Sequence, residues 1–210
     1  MSNSKMNTRE IIVDKALKMF NERGIEYVGL RELATELDIR VSNISYYFPT
    51  KDDLVNELSI RLSKANASII IEDKHLSMKG FLEMLDQVYQ NHVRYRCLLL
   101  SVVHLMQQNK HMAAKYKQTQ NIRNATLQSN LQALEKNGYL KIKDEDQMKF
   151  LVSTLSLISR FWISEAAISF KNHGVSGQVN FYLQLVAQLL QPYSTARGRS
   201  EIQMFIESRI

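Results

Sequence analysis

The chain has 210 residues, enough for one large domain or for a small one joined to a larger one. Hydrophobic residues make up 45%, sufficient for a packed core, while only 7 glycines and 2 prolines disfavour turn-rich β folds and favour long helices. A single cysteine, Cys97, excludes an internal disulfide and a thiolate zinc cluster and suits a reducing cytosol; the +6 net charge is weak support for nucleic-acid binding, because residues 1–64 balance ten Lys/Arg against ten Asp/Glu.

Residues 1–6 read as a disordered leader. Asn7, followed three residues on by Glu10, is a plausible helix cap with a favourable charge in the first turn. Ile12, Ala16, Met19, Phe20 and Arg23 form one face of a first helix, which Gly24 ends. No apolar run reaches about 18 residues, so neither a signal peptide nor a spanning helix is expected.

Leu30, Leu33, Ala34 and Leu37 recur at helical spacing after Gly29, and Asp38 then breaks the stripe with a turn-favouring residue. Ile39 suits the inside of a tight helix–helix turn. In the next short helix Ile44 and Phe48 can face inward, which leaves Arg40, Val41, Ser42, Asn43, Tyr46 and Tyr47 on the other side. That face has no carboxylate and many donors, as a polyanion requires. Pro49 stops the helix, and Thr50 with Asp53 starts another. The pattern is a helix-turn-helix whose second helix is built to enter a DNA major groove. Phosphate affinity must come from placement of Arg31, Arg40 and Lys51, with the acids at 32, 36 and 38 facing elsewhere.

Arg31-Glu32-Leu33-Ala34, Ile39, Asn43-Ile44-Ser45-Tyr46-Tyr47-Phe48, Lys51 and Leu54 closely resemble the TetR family of bacterial transcriptional regulators. The resemblance covers residues 9–56 in order and spacing; beyond it the likeness is architectural. It implies that Arg31 reaches a base edge, where a guanidinium can bind guanine in a fork. It places Arg40, Val41 and Ser42 at the base-reading first turn of the third helix. Asn43, Tyr46, Tyr47 and Lys51 match phosphate-contacting positions, which set register. Two residues depart from the pattern: Arg40 stands where Ser or Thr often caps the helix, and Ser45 where Tyr is common.

The fourth helix is expected from Thr50 or Lys51 through Leu54, Leu58, Leu62 and Ala65 to about Ile71, a rod from the DNA side into the second domain. Its N-terminus beside Lys51 is a candidate phosphate site. From Ser77 the chain reads as five or six helices. Phe81 to Val93 mark one, Cys97 to about Gln108 a short apolar one, and about Lys110 to Asn137 a long polar one closed by Gly138. Asp144 opens the next, with Phe150, Leu151, Leu155, Phe161, Trp162 and Ala166 along it. Gly174 to Gly177 reads as a loop, and Val179 to Leu190 mark a helix before Pro192. After an Arg197-Gly198-Arg199 linker, Ser200 to Arg209 forms an amphipathic tail that either docks or frays.

The fold expected is therefore all-α. Residues 1–50 form a three-helix DNA-binding domain, and residues 51–210 a helical effector-binding and dimerisation domain. The two apolar helices before Pro192 are apolar on more than one face, which predicts pairing with a second copy. The resemblance implies the same four-helix interface, a homodimer and a palindromic operator in double-stranded DNA. Candidate pocket residues are Tyr89, His92, Tyr95, Cys97, His104, Met106, Arg160, Trp162 and Glu165. Arg160 and Glu165 stand out as charges in an apolar helix, to be paired with each other, across an interface or with a polar ligand. His104 and His111 can share one helical face, but no third metal ligand accompanies them. No phosphate-binding glycine loop, GxSxG or HExxH is present, so no enzyme, cofactor or metal is expected. The function expected is a cytoplasmic DNA-binding repressor released by an unidentified small-molecule effector, without a membrane role. The competing reading is a DNA-tethered protein-interaction module with no small ligand.

Overall fold

Helix α1 (Thr8–Arg23) starts where Asn7 Oδ1 accepts from Arg9 N at 3.2 Å. It buries Ile12, Val13, Ala16, Met19 and Phe20, and ends at Gly24, whose φ of 91° is open to glycine. Arg23, expected on this core face, instead points outward and pairs with Glu32 and Glu36. As the last helical residue it lies past the packed stripe, and its long stem reaches the acids of the next helix. The computed structural model describes residues 7–69, 75–108, 110–170 and 174–209, and in 110–112 the backbone alone. The expected disordered leader at 1–6 and the side chain of His111 lie outside them.

Helices α2 (Leu30–Glu36) and α3 (Val41–Tyr47) form the expected helix-turn-helix. Asp38 carries the turn at a φ of 53°, a left-handed conformation that Asp tolerates better than most residues. Leu33, Ala34, Ile44 and Phe48 are buried against α1, with Ile39 packed at the rim of the same core. Helix α4 (Lys51–Ala67) begins with a complete capping box: Asp53 N donates to Thr50 Oγ1 at 3.2 Å, and Thr50 N donates to Asp53 Oδ2 at 3.0 Å. Ser68 caps its C-terminus, so the helix stops short of the expected Ile71, which lies outside the described residues.

The second part of the chain forms α5 (Met78–Arg94), α6 (Arg96–Leu100), α7 (Val102–Gln108), α8 (Lys110–Lys136), α9 (Glu145–Ser169), α10 (Val175–Leu190) and α11 (Ala196–Glu207). Among the described residues that is seven α-helices rather than five or six. The apolar stretch expected as one helix breaks at the buried Ser101, which separates α6 from α7. The expected loop at Gly174 to Gly177 is instead a helix start: Gly174 is the N-cap of α10 and the next three residues its first turn. Likewise the expected linker 197–199 lies inside the first turn of α11, because Thr195 Oγ1 accepts from Gly198 N at 3.2 Å and starts the helix early. The tail docks rather than frays. Ile202 and Phe205 are buried, Arg209 pairs with Asp86 of α5, and Glu201 accepts from Lys79 N at 2.9 Å. No strand occurs among the described residues.

Helix α5 sits at the centre of this bundle, packed by α4, α9, α10 and α11. Helix α9 corrects one reading of the sequence: by length and composition it is apolar enough to cross a membrane. Met148, Leu151, Leu155, Trp162, Ile163 and Ala166 nevertheless make it a core helix of the bundle.

Candidate nucleic-acid interface

The three-helix unit is braced from behind, which frees its front. Lys15 and Arg23 of α1 pair with Glu36, and Arg23 also with Glu32, so the acids of α2 are turned towards α1. A second network joins α1 to α4. Arg9 Nη2 donates to Glu57 Oε2 at 2.7 Å, and Arg61 bridges Glu57 and Glu10 at 2.9 and 2.8 Å. The hydrogen bond from Arg9 holds the Glu57 carboxyl below its usual range. The Arg9 guanidinium also lies 5.0 Å from the centroid of Phe48. Sequence inspection missed this network, because Glu57 reads as one more polar residue on α4 until the fold brings Arg9 to it.

The residues expected to meet DNA share the remaining face. Arg31, Arg40, Ser42, Asn43 and Tyr46 are exposed, and Val41, Tyr47 and Lys51 half-buried. Arg40 is the N-cap of α3 and makes no side-chain cap, consistent with its departure from the usual Ser or Thr. Its guanidinium is therefore not spent on the helix. Tyr46, 82% exposed, meets Tyr47 edge-on at 5.0 Å, so one ring supports the other without covering its hydroxyl. Lys51 is placed differently from the others. Its Nζ donates to Ile25 O at 2.9 Å and Glu26 O at 3.4 Å, which anchors α4 to the α1–α2 loop. An equally exposed ring at the edge of that loop, Tyr27 at 81%, was missed in the sequence.

Of the candidate pocket residues, the fold brings Tyr89, His92 and Trp162 together as a buried stack. The Tyr89 ring lies 4.9 Å from that of Trp162 and 5.8 Å from that of His92. Trp162 Nε1 donates to His92 Nδ1 at 3.2 Å. Burial, then the nearby Arg123, push the His92 imidazole down to about 3, and burial pushes the Tyr89 phenol up to about 12. Tyr95 and Cys97 are buried instead at the α5–α6 junction. There Asn21 of α1 donates to Arg94 O at 2.8 Å and accepts from Cys97 N at 3.0 Å, clamping the two parts of the chain together. His104 is exposed, and so is Glu165, which accepts from Ser169 and does not pair with Arg160. Among the described residues no three His, Cys, Asp or Glu cluster as metal ligands.

Open space lies beside the aromatic stack rather than within it, one cleft of about 340 Å³ running past Val93, Trp162, Ile163 and Val175. A groove of about 380 Å³ runs between α4, α7 and α8, past Ser59, Ile60, Met106, Tyr116 and Arg123. A chamber of about 80 Å³ sits deeper, where Arg160 and His92 join Arg123 and the apolar side chains of α6 and α7. Met106 lines both spaces. Arg123 was missed in the sequence because α8 carries several cations and nothing local marks which of them turns inward.

A family model described as bacterial regulatory proteins of the tetR family matches residues 12–58, and one described as bacterial transcriptional repressor matches residues 64–202. This chain belongs to the TetR family. Members of the TetR family are DNA-binding transcription regulators and not enzymes. A probable HTH-type transcriptional regulator of Bacillus subtilis, YttP, is 37% identical over 54 residues, and the match spans 26% of this chain and 26% of that protein. A TetR-family regulator from Marinobacter aquaeolei superposes with a TM-score of 0.89 at 20% identity, covering 97% of this chain and 99% of the other. SmeT, the repressor of a Stenotrophomonas maltophilia multidrug efflux pump, does so at 0.63 and 12% identity over 91% and 92%. These likenesses establish the shared TetR fold, with its N-terminal helix-turn-helix and C-terminal helical domain.

Proposed function

We propose that the chain acts as a homodimeric repressor that binds a palindromic operator and releases it when a small molecule enters the α4–α7–α8 groove. The observation that carries the DNA part is the front of the helix-turn-helix. Arg31, Arg40, Ser42, Asn43 and Tyr46 are exposed together, while Glu32 and Glu36 are drawn back onto α1. Arg31, Arg40, Val41 and Ser42 read base edges; Asn43, Tyr46 and Tyr47 hold phosphates. Lys51 contributes by fixing α4, whose N-terminus faces the backbone.

Dimerisation is supported by apolar side chains left uncovered on α9 and α10. Phe150, Leu157, Ile168, Phe181 and Leu185 are 52%, 58%, 74%, 44% and 40% exposed. A strip of this size on two adjacent helices suits a two-fold, self-complementary contact. Release is supported by α4, which lines the groove at Ser59 and Ser63 and begins beside the reading helix. It lies in the 51–210 unit and packs on α1 of the 1–50 unit, so a ligand that shifts α4 tilts the reading heads. The protein works in the cytoplasm, at the nucleoid.

Sedimentation and operator binding test the proposal together. The 24.4 kDa chain is expected to sediment as a dimer, and Leu157→Glu with Phe181→Glu to yield monomers with much weaker operator affinity. A wild-type monomer that binds a single half-site with full affinity would overturn it.

A further inference from the structure

The groove and chamber between α4, α7, α8 and α9 carry positive charge with no carboxylate on it among the described residues. Arg123 of α8 lines both spaces, and Arg160 of α9 lines the inner one. Lys64 and Lys115 stand at the outer rim, and among the described residues no Asp or Glu lines either space. Among the described residues, neither guanidinium hydrogen-bonds or pairs with a carboxylate. The Nε of Arg160 is buried with no partner at all. Its guanidinium carbon rests only against rings, 5.9 Å from the centroid of Tyr116 and 5.8 Å from that of Phe161. Desolvation disfavours the charge of Arg123; Tyr116 offsets part of this, and Arg160 adds to it.

Charges drawn out of solvent are ordinarily paired, and two half-buried ones of the same sign facing one cavity are costly to the empty protein. An anion bound between them would recover that cost through charge-assisted, forked hydrogen bonds. Leu62, Leu98, Leu99, Val102 and Leu105 form an apolar side of the chamber wall, and Ser59, His92 and Ser159 a neutral polar one. We propose that this cavity binds an anionic amphipath. A single carboxylate or phosphate group sits on Arg123 and Arg160, and a short apolar body lies along the chamber and groove. The lysines at the rim draw such a ligand in and repel cations. This inference rests on the effector-controlled reading above and names its ligand class.

The test uses the full-length protein with octanoate, octyl phosphate and octan-1-ol as probes, followed by calorimetric titration and thermal melting. Both anions are expected to bind, raising the melting temperature by about 5–10 °C at a hundredfold excess over Kd. Octan-1-ol is expected to bind at least ~10-fold more weakly, the loss of one charge-assisted contact. Arg123→Gln and Arg160→Gln, made separately so that a folding failure of one leaves the other as a test, should each weaken the anions by ~10-fold or more and leave octan-1-ol unchanged. A tighter fit for octyl phosphate points to a phosphate ligand that engages both guanidiniums, and a tighter fit for octanoate to a carboxylate. Equal affinity for the alcohol and the anions, or anion binding untouched by both variants, overturns the inference. Operator release by a neutral or cationic compound, with neither anion bound, overturns it too but leaves effector control standing. Failure of any small molecule to bind the groove defeats both.

Discussion

Lowering the pH from 7 to 5 should destabilise the protein through His92. Its ring is buried beside Tyr89, accepts from Trp162 Nε1 at 3.2 Å, and has Arg123 as its charged neighbour. These surroundings lower its pKa from 6.5 to about 3. Between those two values the unfolded chain has taken up a proton and the folded protein has not, so stability rises with pH there. It is undiminished above the unfolded value and declines as pH falls from it towards the folded one. At about 1.4 kcal/mol per unit, the loss between pH 7 and 5 is about 2 kcal/mol. Urea unfolding followed by the fluorescence of Trp162, the single tryptophan, measures it directly. His92→Phe keeps a ring of similar size and removes the titration, at a fixed cost of about 1 kcal/mol for the orphaned indole N–H. The variant should lose about 2 kcal/mol less than wild type over the same pH interval. Equal losses in the two proteins would refute the assignment of His92 as a neutral, buried acceptor.

Three other substitutions probe the frame around the site. Asn21→Ala removes both hydrogen bonds between α1 and the α5–α6 junction; about 1–2 kcal/mol of stability should go, and effector-induced operator release should weaken while operator affinity alone changes little. Glu57→Gln deprives Arg9 and Arg61 of their shared carboxylate; chemical denaturation should show a loss of about 1–3 kcal/mol, with operator affinity falling as α1 loosens on α4. Gly198→Ala would set a Cβ 2.2 Å from the carbonyl oxygen of Tyr139. Backbone on both sides prevents easy relief, so α11 should shift off α5 at a cost of about 1–3 kcal/mol, read as a lower melting temperature and faster proteolysis after Tyr193.

The helix-turn-helix was legible because its signals are local. The Leu30–Leu37 stripe, the turn at Asp38 and the Thr50/Asp53 capping box each act within a few residues. Patterns that depend on a neighbour were read less well. Gly174 and Gly177 look like a loop until the cap geometry makes them the start of α10, and Gly198 looks like a linker until Tyr139 packs on it. Aromatic residues of α5 and α9 were singled out together, but nothing in their spacing says that Tyr89 stacks on Trp162 while Trp162 also borders an open cleft. Arg123 and Asn21 are the sharper omissions. Each is a polar residue on a polar helix face, and its importance arises only from what a distant segment brings to it.

The most direct test of the central claim is selection of bound duplexes from a fragmented bacterial genomic pool at fixed salt, with wild type and Arg31→Ala in parallel. Wild type is expected to enrich a palindrome with half-sites about one helical turn apart or a multiple of it. The variant should lose discrimination at two symmetry-related positions, about 1–3 kcal/mol each. Enrichment of random fragments by both proteins would contradict a sequence-specific regulator.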